Sequence, residues 1–284
     1  MHFTKMHGIG NDYVYVDCTS QPLADPAGTA IKVSDRHFGI GSDGLILIKP
    51  SERADFEMDI YNADGSRAKM CGNGIRCVGK YVYDHGLTDR RQLKIDTLSG
   101  IRLLDLTVGA DGKVTHVRVD MGEPVLTPRD IPVDPAQLAE VPEVLVSYPY
   151  SCGEKSFRIT CVSMGNPHCV LFTQQDVREI RIDENGPLLE RAPLFPEQAN
   201  VEFINVLSED HVRMRVWERG SGETWACGTG ACAAAVASIL NGYTARDITV
   251  SLRGGDLRIN WDPATNHVFM TGPAEEVFTG DISL

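Results

Sequence analysis

Two stretches of the 284-residue chain set a cysteine in the same surroundings: Met70-Cys71-Gly72-Asn73-Gly74 and, 156 residues further on, Ala226-Cys227-Gly228-Thr229-Gly230. Both read Cys-Gly-polar-Gly, and both open a run of helical character. A thiol in the first turn of a helix sits at the positive end of the helix dipole, among amides with no partner inside the helix. That setting favours the thiolate, the basic and nucleophilic form. The glycines let backbone N–H groups come close to a carboxylate or phosphate. The pattern predicts an anion held by two helix starts, with one sulfur on either side of it.

Paired thiols serve dithiol redox chemistry, metal binding, or proton transfer by one base and one acid. Redox pairs usually stand close together as CxxC, which is absent around Cys71 and Cys227. A zinc site is equally poorly served, and no metal is expected. On a helix turning about 100° per residue, Cys77 points roughly 120° away from Cys71, and Cys232 roughly 140° away from Cys227, so these four cannot form one cluster. Cys77 and Cys232 read as core fillers, and Cys18, Cys152, Cys161 and Cys169 have no chemical context. Two opposed thiols around a carboxylate suit removal of a proton from one face of an α-carbon and its return on the other. That is racemisation or epimerisation.

The likeness between the two cysteine segments extends upstream. FEMDIYN (56–62) falls on VRMRVWE (212–218), and GNDYVYV (10–16) falls on GNPHCVL (165–171) at an offset one residue shorter. Each cysteine therefore follows a strand by the same distance. Alternation and turn residues predict a helix over 27–36, strands over 45–49 and 56–62, and a helix over 72–85 ended by Gly86. Strands over 93–97, 101–107 and 113–121 follow. The second half predicts strands at 144–148, 157–162, 168–173, 201–207 and 211–217, with a short helix near 184–191. Its cysteine helix spans 228–241 and ends at Gly242, before strands at 247–252, 257–261, 267–271 and 275–279. That helix is small and apolar on every side, so it should be buried on every side. The fold class is α+β: two pseudo-symmetric domains from an internal duplication, each a strongly curved, barrel-like sheet around a central helix. The proline-rich stretch 123–142 reads as the link, giving an N-terminal half of residues 1–125 that carries Cys71 and a C-terminal half of 126–272 that carries Cys227.

Hydrophobic content of 42% with 23% charged residues is enough to fill real cores. A net charge of −12 argues against nucleic acid or an anionic membrane surface as partner. No stretch reaches the roughly 18 apolar residues of a membrane span, and the first residues lack the apolar run of a signal peptide. Free thiols in a cytoplasmic protein are the expectation.

Taken together, NADGSRAKMCGNGIRC (62–77), SMGNPHCV (163–170), NVEF (200–203) and WERGSGETWACGTGACA (217–233) resemble the diaminopimelate epimerase family. HGIGNDYVYVD near the start and TGPAEEVFTGDI near the end extend the resemblance over nearly the whole chain. It implies cofactor-independent interconversion of LL- and meso-2,6-diaminopimelate, in lysine and peptidoglycan precursor synthesis, by a homodimer. It implies Cys71 as proton donor and Cys227 as proton acceptor, exchanging roles with direction, and His168 and Glu218 as groups that tune the thiols. Backbone amides of Gly72, Asn73, Gly228 and Thr229 would hold the reacting carboxylate, and Asn11 and Glu218 the reacting ammonium. Asn62, Asn166, Asn200 and Arg219 would read the distal end. The resemblance also implies that 273–284 completes the N-terminal half. In GIGSDG, Gly44 stands where some members of the family carry Gln. The competing reading is a racemase of the same fold acting on proline or hydroxyproline.

Overall fold

In the computed structural model, which describes residues 1–283, the chain divides into two compact units. Unit 1 is Met1–Asp120 together with the chain from Thr271 on, and unit 2 is Met121–Met270. Unit 1 begins with β1 (His2–Gly8), β2 (Asn11–Asp17), α1 (Pro26–Ser34), β3 (Gly44–Lys49), β4 (Phe56–Asn62) and the short β5 (Arg67–Ala68). Helix α2 (Gly72–Asp84) follows, then β6 (Gln92–Thr97), β7 (Gly100–Val108) and β8 (Val114–Asp120). Unit 2 holds β9 (Tyr148–Cys152), β10 (Lys155–Ser163), β11 (Pro167–Phe172), α3 (Ile182–Glu190), β12 (Asn200–Ser208), β13 (His211–Glu218) and the short β14 (Gly222–Glu223). Helix α4 (Gly228–Leu240), β15 (Asp247–Leu252) and β16 (Gly255–Trp261) come next, before β17 (Val268–Pro273) and β18 (Glu275–Asp281).

The pairing repeats strand for strand. In unit 1, β2 runs parallel to β3, β3 antiparallel to β4, β4 parallel to β6, and β6 antiparallel to β7. In unit 2, the same senses relate β11 to β12, β12 to β13, β13 to β15, and β15 to β16. The registers also correspond. Tyr13 stands opposite Gly44, and Gly44 opposite Asn62, while His168 stands opposite Asn200 and Val201 opposite Trp217. It follows that Asn62 and Glu218 occupy equivalent places, as do Ile46 and Glu202. Each helix lies in the connection between two parallel strands, β4 to β6 and β13 to β15, which requires a crossover of this kind. β1 takes β18 as antiparallel neighbour where β10 takes β9, so the end of the chain completes unit 1.

Helix α4 packs against β10, β11, β12, β13, β15 and β16, and Ala231 through Ala237 are fully buried. Helix α2 packs against β1, β2, β7 and β8 and is buried almost throughout, although its sequence carries Arg76 and Lys80. Those charges are accommodated by hydrogen bonds. Arg76 donates to the Gly72 carbonyl at 3.2 Å, the Asn73 Oδ1 at 3.1 Å and the Pro273 carbonyl at 3.1 Å. Lys80 donates to Asp84 at 2.8 Å and to the Val114 carbonyl at 2.6 Å. A buried charge without such partners would be strongly unfavourable. Both helices end at a glycine in the left-handed region, Gly86 at φ 74° and Gly242 at φ 71°.

Two expectations differ from the structure. The strand predicted over 144–148 lies later, because Ser147 adopts φ 47° and extended pairing starts only at Tyr148. The proline-rich stretch is not a free link: Val125 bridges Ser163, and Ile131 and Val133 are buried in the core of unit 2. The units accordingly divide at Asp120/Met121 and Met270/Thr271, against the expected 125/126 and 272/273. Among the described residues no helix is long and apolar enough to cross a membrane.

A chain ending at Ala274 should lose about 3 kcal/mol, because six cross-strand pairs between β1 and β18 disappear and β1 becomes an open edge. Calorimetry should show the Tm reduced by roughly 10 °C. An unchanged Tm would show that β18 contributes nothing to unit 1.

Candidate functional site

Cys71 is the N-cap of α2, with extended backbone at φ −137° and ψ 111°. Its Sγ accepts the Gly74 N–H at 3.2 Å and donates to Asn11 Oδ1 at 3.3 Å. The orientation of Asn11 is set from behind, since its Nδ2 donates to Asp43 at 2.8 Å. Asp43 also accepts the Asp12 amide at 3.1 Å and an Arg36 N–H at 2.9 Å. Burial, then the charge of Asp12, push the Asp43 carboxyl above its ordinary range. At Asp12, burial acts in the upward direction, but hydrogen bonds from Arg36 and Lys5 outweigh it and hold the carboxyl low. A chain of contacts thus runs from Arg36 through Asp43 and Asn11 to the sulfur.

Cys227 caps α4 in the same way, at φ −127° and ψ 108°, with its Sγ accepting the Gly230 N–H at 3.4 Å and lying 3.6 Å from the Thr229 hydroxyl. It is more buried than Cys71, at 5% exposure. Burial pushes its thiol well above the ordinary range, and the carboxylates of Glu218 and Glu202 push in the same direction. The Thr229 hydroxyl and the Gly230 amide act the other way. A helix start contributes about 0.3–1 kcal/mol at an exposed position and up to ~2 kcal/mol when partly buried. Full burial beside carboxylates exceeds that. The expected thiolate-favouring surroundings are therefore overridden at Cys227.

The glycine two residues beyond each helix-opening glycine has a steric reason. A Cβ at Gly74 would lie 2.6 Å from Ile46 Cδ1 and 3.4 Å from the Cys71 sulfur. At Gly230 it would lie 2.8 Å from Glu202 Oε1 and 3.2 Å from the Cys227 sulfur. A side chain there would have to push aside Ile46 in unit 1 and Glu202 in unit 2, and at Gly230 it would also crowd the sulfur.

Behind α4, His168 is wholly buried. Its Nδ1 lies 2.7 Å from Glu202 Oε1 and its Nε2 lies 3.0 Å from Asn166 Oδ1. Asn200 is also buried, accepting the Arg219 amide at 2.8 Å and donating to the Pro167 carbonyl at 3.4 Å. Glu218 accepts from the Thr224 hydroxyl. Arg219 is exposed, with one guanidinium N–H given to the Glu197 carbonyl at 2.9 Å. Asn62 donates to Ser66 Oγ at 3.0 Å. The amides of Gly72, Asn73, Gly228 and Thr229 all lie in first turns, where the helical ladder does not use them.

Unit 1 thus brings together Cys71, Asn11, Gly72 and Asn73, with Asn62 at the end of β4. Unit 2 gathers Cys227, Gly228, Thr229, His168, Asn166, Asn200, Glu218 and Arg219. All eight cysteines are free thiols. Cys77 and Cys232 are fully buried, and burial pushes Cys77 up to about 11, which suits packing rather than acid–base work. At Gly44 a Cβ would lie 2.2 Å from the Tyr61 carbonyl, so no side chain fits there and none can reach a ligand. Sequence reasoning missed Asp43 and Glu202. Glu202 had a signal: it is a carboxylate inside an otherwise apolar strand, Val201-Glu202-Phe203-Ile204. Asp43 had none, since Ser42-Asp43-Gly44 reads as an ordinary turn.

Comparison with known proteins places these features in a family context. The family model described as diaminopimelate epimerase matches residues 3–127 and 160–277. A diaminopimelate epimerase of Agathobacter rectalis is 57% identical over 286 aligned residues, covering 100% of both chains. Another, of Acetivibrio thermocellus, is 55% identical and covers 100% of this chain and 99% of its own. The solved structure of a probable proline racemase from Agrobacterium radiobacter has the same fold, with a TM-score of 0.69 at 13% identity over 100% of this chain and 93% of its own.

Gly74→Ala and Gly230→Ala should each destabilise the protein by about 1–3 kcal/mol, although alanine is by itself the better helix former by ~1 kcal/mol. Urea denaturation measures this directly. Stability equal to or above that of the parent would refute the steric account of the Cys-Gly-polar-Gly pattern.

Proposed function

We propose that this chain, which belongs to the diaminopimelate epimerase family, interconverts LL- and meso-2,6-diaminopimelate by a two-base mechanism. The observation that carries the mechanism is that each unit supplies one cysteine as the N-cap of an equivalent helix, with its sulfur held by the third amide of that helix. In this reading Cys71 and Cys227 act on one substrate. A thiolate removes the α-proton; the C–H electron pair stays on carbon as a carboxylate-stabilised carbanion. The other thiol returns a proton to the opposite face and becomes the thiolate, so the reaction consumes nothing and the two sulfurs exchange states.

The carboxylate of the reacting centre would be met by first-turn amides of Gly72, Asn73, Gly228 and Thr229, donors that strengthen their hold as charge develops on it. Asn11 and Glu218 would hold the reacting ammonium, with Asp43 keeping the Asn11 oxygen in place. Asn62, Asn166, Asn200 and Arg219 would read the distal amino acid, where the guanidinium suits a bidentate grip on a carboxylate. His168 and Glu218 would tune the thiols. Proline has no distal amino acid and would leave those four residues without a purpose. Family likeness supports a cytoplasmic homodimer that supplies lysine and peptidoglycan precursors.

Incubation with LL-diaminopimelate in D₂O should place deuterium at one α-carbon and yield the meso isomer. Cys71→Ala and Cys227→Ala should each lower turnover by about 10³-fold or more with the fold retained by circular dichroism. Exchange into proline but not diaminopimelate would overturn the substrate assignment, and full turnover by either variant would overturn the two-base mechanism. Arg219→Ala should raise KM by ~10–100-fold with a smaller effect on kcat, as expected for loss of a charged hydrogen-bonding pair.

A further inference from the structure

The internal duplication supplies its own control. Strand register puts Ile46 and Glu202 in equivalent places, and both touch the same point of their helix: Ile46 Cδ1 faces Gly74, and Glu202 Oε1 faces Gly230. Those glycines donate the N–H that each cysteine sulfur accepts. The second position that differs is Asn62 in unit 1 against Glu218 in unit 2. Behind one thiol the equivalent places are uncharged; behind the other both carry a carboxyl.

Glu202 is wholly buried, and it is held. Its Oε1 lies 2.7 Å from His168 Nδ1, and the other ring nitrogen lies 3.0 Å from Asn166 Oδ1, so the imidazole is held between the two side chains. The second oxygen, Oε2, is buried with no hydrogen-bond partner among the described residues. Burial pushes the Glu202 carboxyl above its ordinary range and His168 acts the other way, favouring the charged form, while Oε1 stands against Gly230 in the first turn of α4. A buried carboxylate packed against the first turn opposes a second negative charge on the neighbouring sulfur.

We propose that Glu202 is a positioning residue that makes the two half-sites unequal: fixed by His168 against the first turn of α4, it keeps Cys227 as the thiol of the resting enzyme. The word "resting" rests on the two-base reading above; the electrostatic effect on Cys227 does not. Among the described residues, the carboxyls that push on the Cys227 thiol are Glu202 on β12 and Glu218 on β13, with His168 on β11 against Glu202. Glu218 would meet the substrate ammonium, so its charge is balanced during the reaction. Glu202 is out of reach of solvent and keeps its bias throughout. The resting enzyme then offers Cys227 as acid, and the base of the first turnover is its partner. The device is absent from unit 1, where Ile46 fills the same place.

The test uses full-length enzyme without substrate, labelled with iodoacetamide over a pH series, with adducts on Cys227 and Cys71 counted separately by mass spectrometry. Glu202→Gln keeps the shape and a hydrogen bond to His168 but removes the charge. Loss of that charge makes the thiolate easier to form, so the labelling midpoint of Cys227 should fall by about one pH unit, near tenfold faster labelling at fixed pH below it. The Cys71 midpoint should not move, and the alkaline limb of turnover should shift in the same direction as Cys227 labelling. Should Glu202→Gln lose its fold by circular dichroism, Glu202→Ile, which copies unit 1, carries the same expectation. A folded variant with an unshifted Cys227 midpoint overturns the proposal, because a merely structural role would change the Tm and leave the midpoint in place. If the parent enzyme fails to epimerise diaminopimelate while the midpoint still shifts, the substrate reading falls and the role of Glu202 stands.

Discussion

The hydrogen bond from the third helical amide to an N-cap sulfur is the interaction on which this protein depends. It determines where each sulfur stands, and a side chain at the third position would meet Ile46 or Glu202 behind it. In each unit that glycine lies between the sulfur and a side chain of the strand that forms the parallel pair, Ile46 on β3 or Glu202 on β12. The strand register, the helix start and the thiol are therefore one geometric problem. Shifting any strand by a residue would turn its inward side chain to the other face and empty the place behind the glycine. This is why the motif recurs with so little variation at two points in one chain.

Equivalent scaffolds need not be equivalent chemically. The two helix starts have matching backbone geometry, yet Cys71 faces Asn11 and an apolar Ile46, whereas Cys227 is buried beside two carboxyls. The helix dipole, which made the pair conspicuous, contributes the same to both and so cannot distinguish them. Burial and neighbouring charge can, and at Cys227 they outweigh it. Similar logic applies beneath α2, where Arg76 replaces an apolar filler and ties the first turn to the chain segment that precedes β18.

Much of this was legible in the sequence, for identifiable reasons. The cysteine helices announced themselves by glycine at both ends and by apolar content, and α4 lies as buried as its composition required. The duplication was readable because the offset between motifs is nearly constant, and the structure matches it strand by strand. What failed to show was whatever depends on a single backbone angle or a single buried partner. Ser147 turns the chain where alternation suggested a strand. The prolines of 123–142 suggested a linker, but Ile131 and Val133 among them are core residues. Glu202 was hidden by its strand, since alternation assigns faces and cannot tell that an inward carboxylate meets a histidine 34 positions away in sequence.

For the proposed two-base reaction, a duplicated unit solves half of the problem at once. Reversing a stereocentre needs an acid and a base of similar chemistry on opposite faces, and two copies of one cysteine helix provide similar chemistry by construction. Identical copies would leave the proton free to reside on either sulfur, with the working form only one of several protonation states of the pair. A buried carboxylate in one copy, the role proposed for Glu202, would remove that degeneracy without touching either sulfur or the backbone that positions it. The divergence that matters for the proposal therefore lies behind the shared geometry, where a strand side chain meets the helix start and Glu202 stands in the place of Ile46.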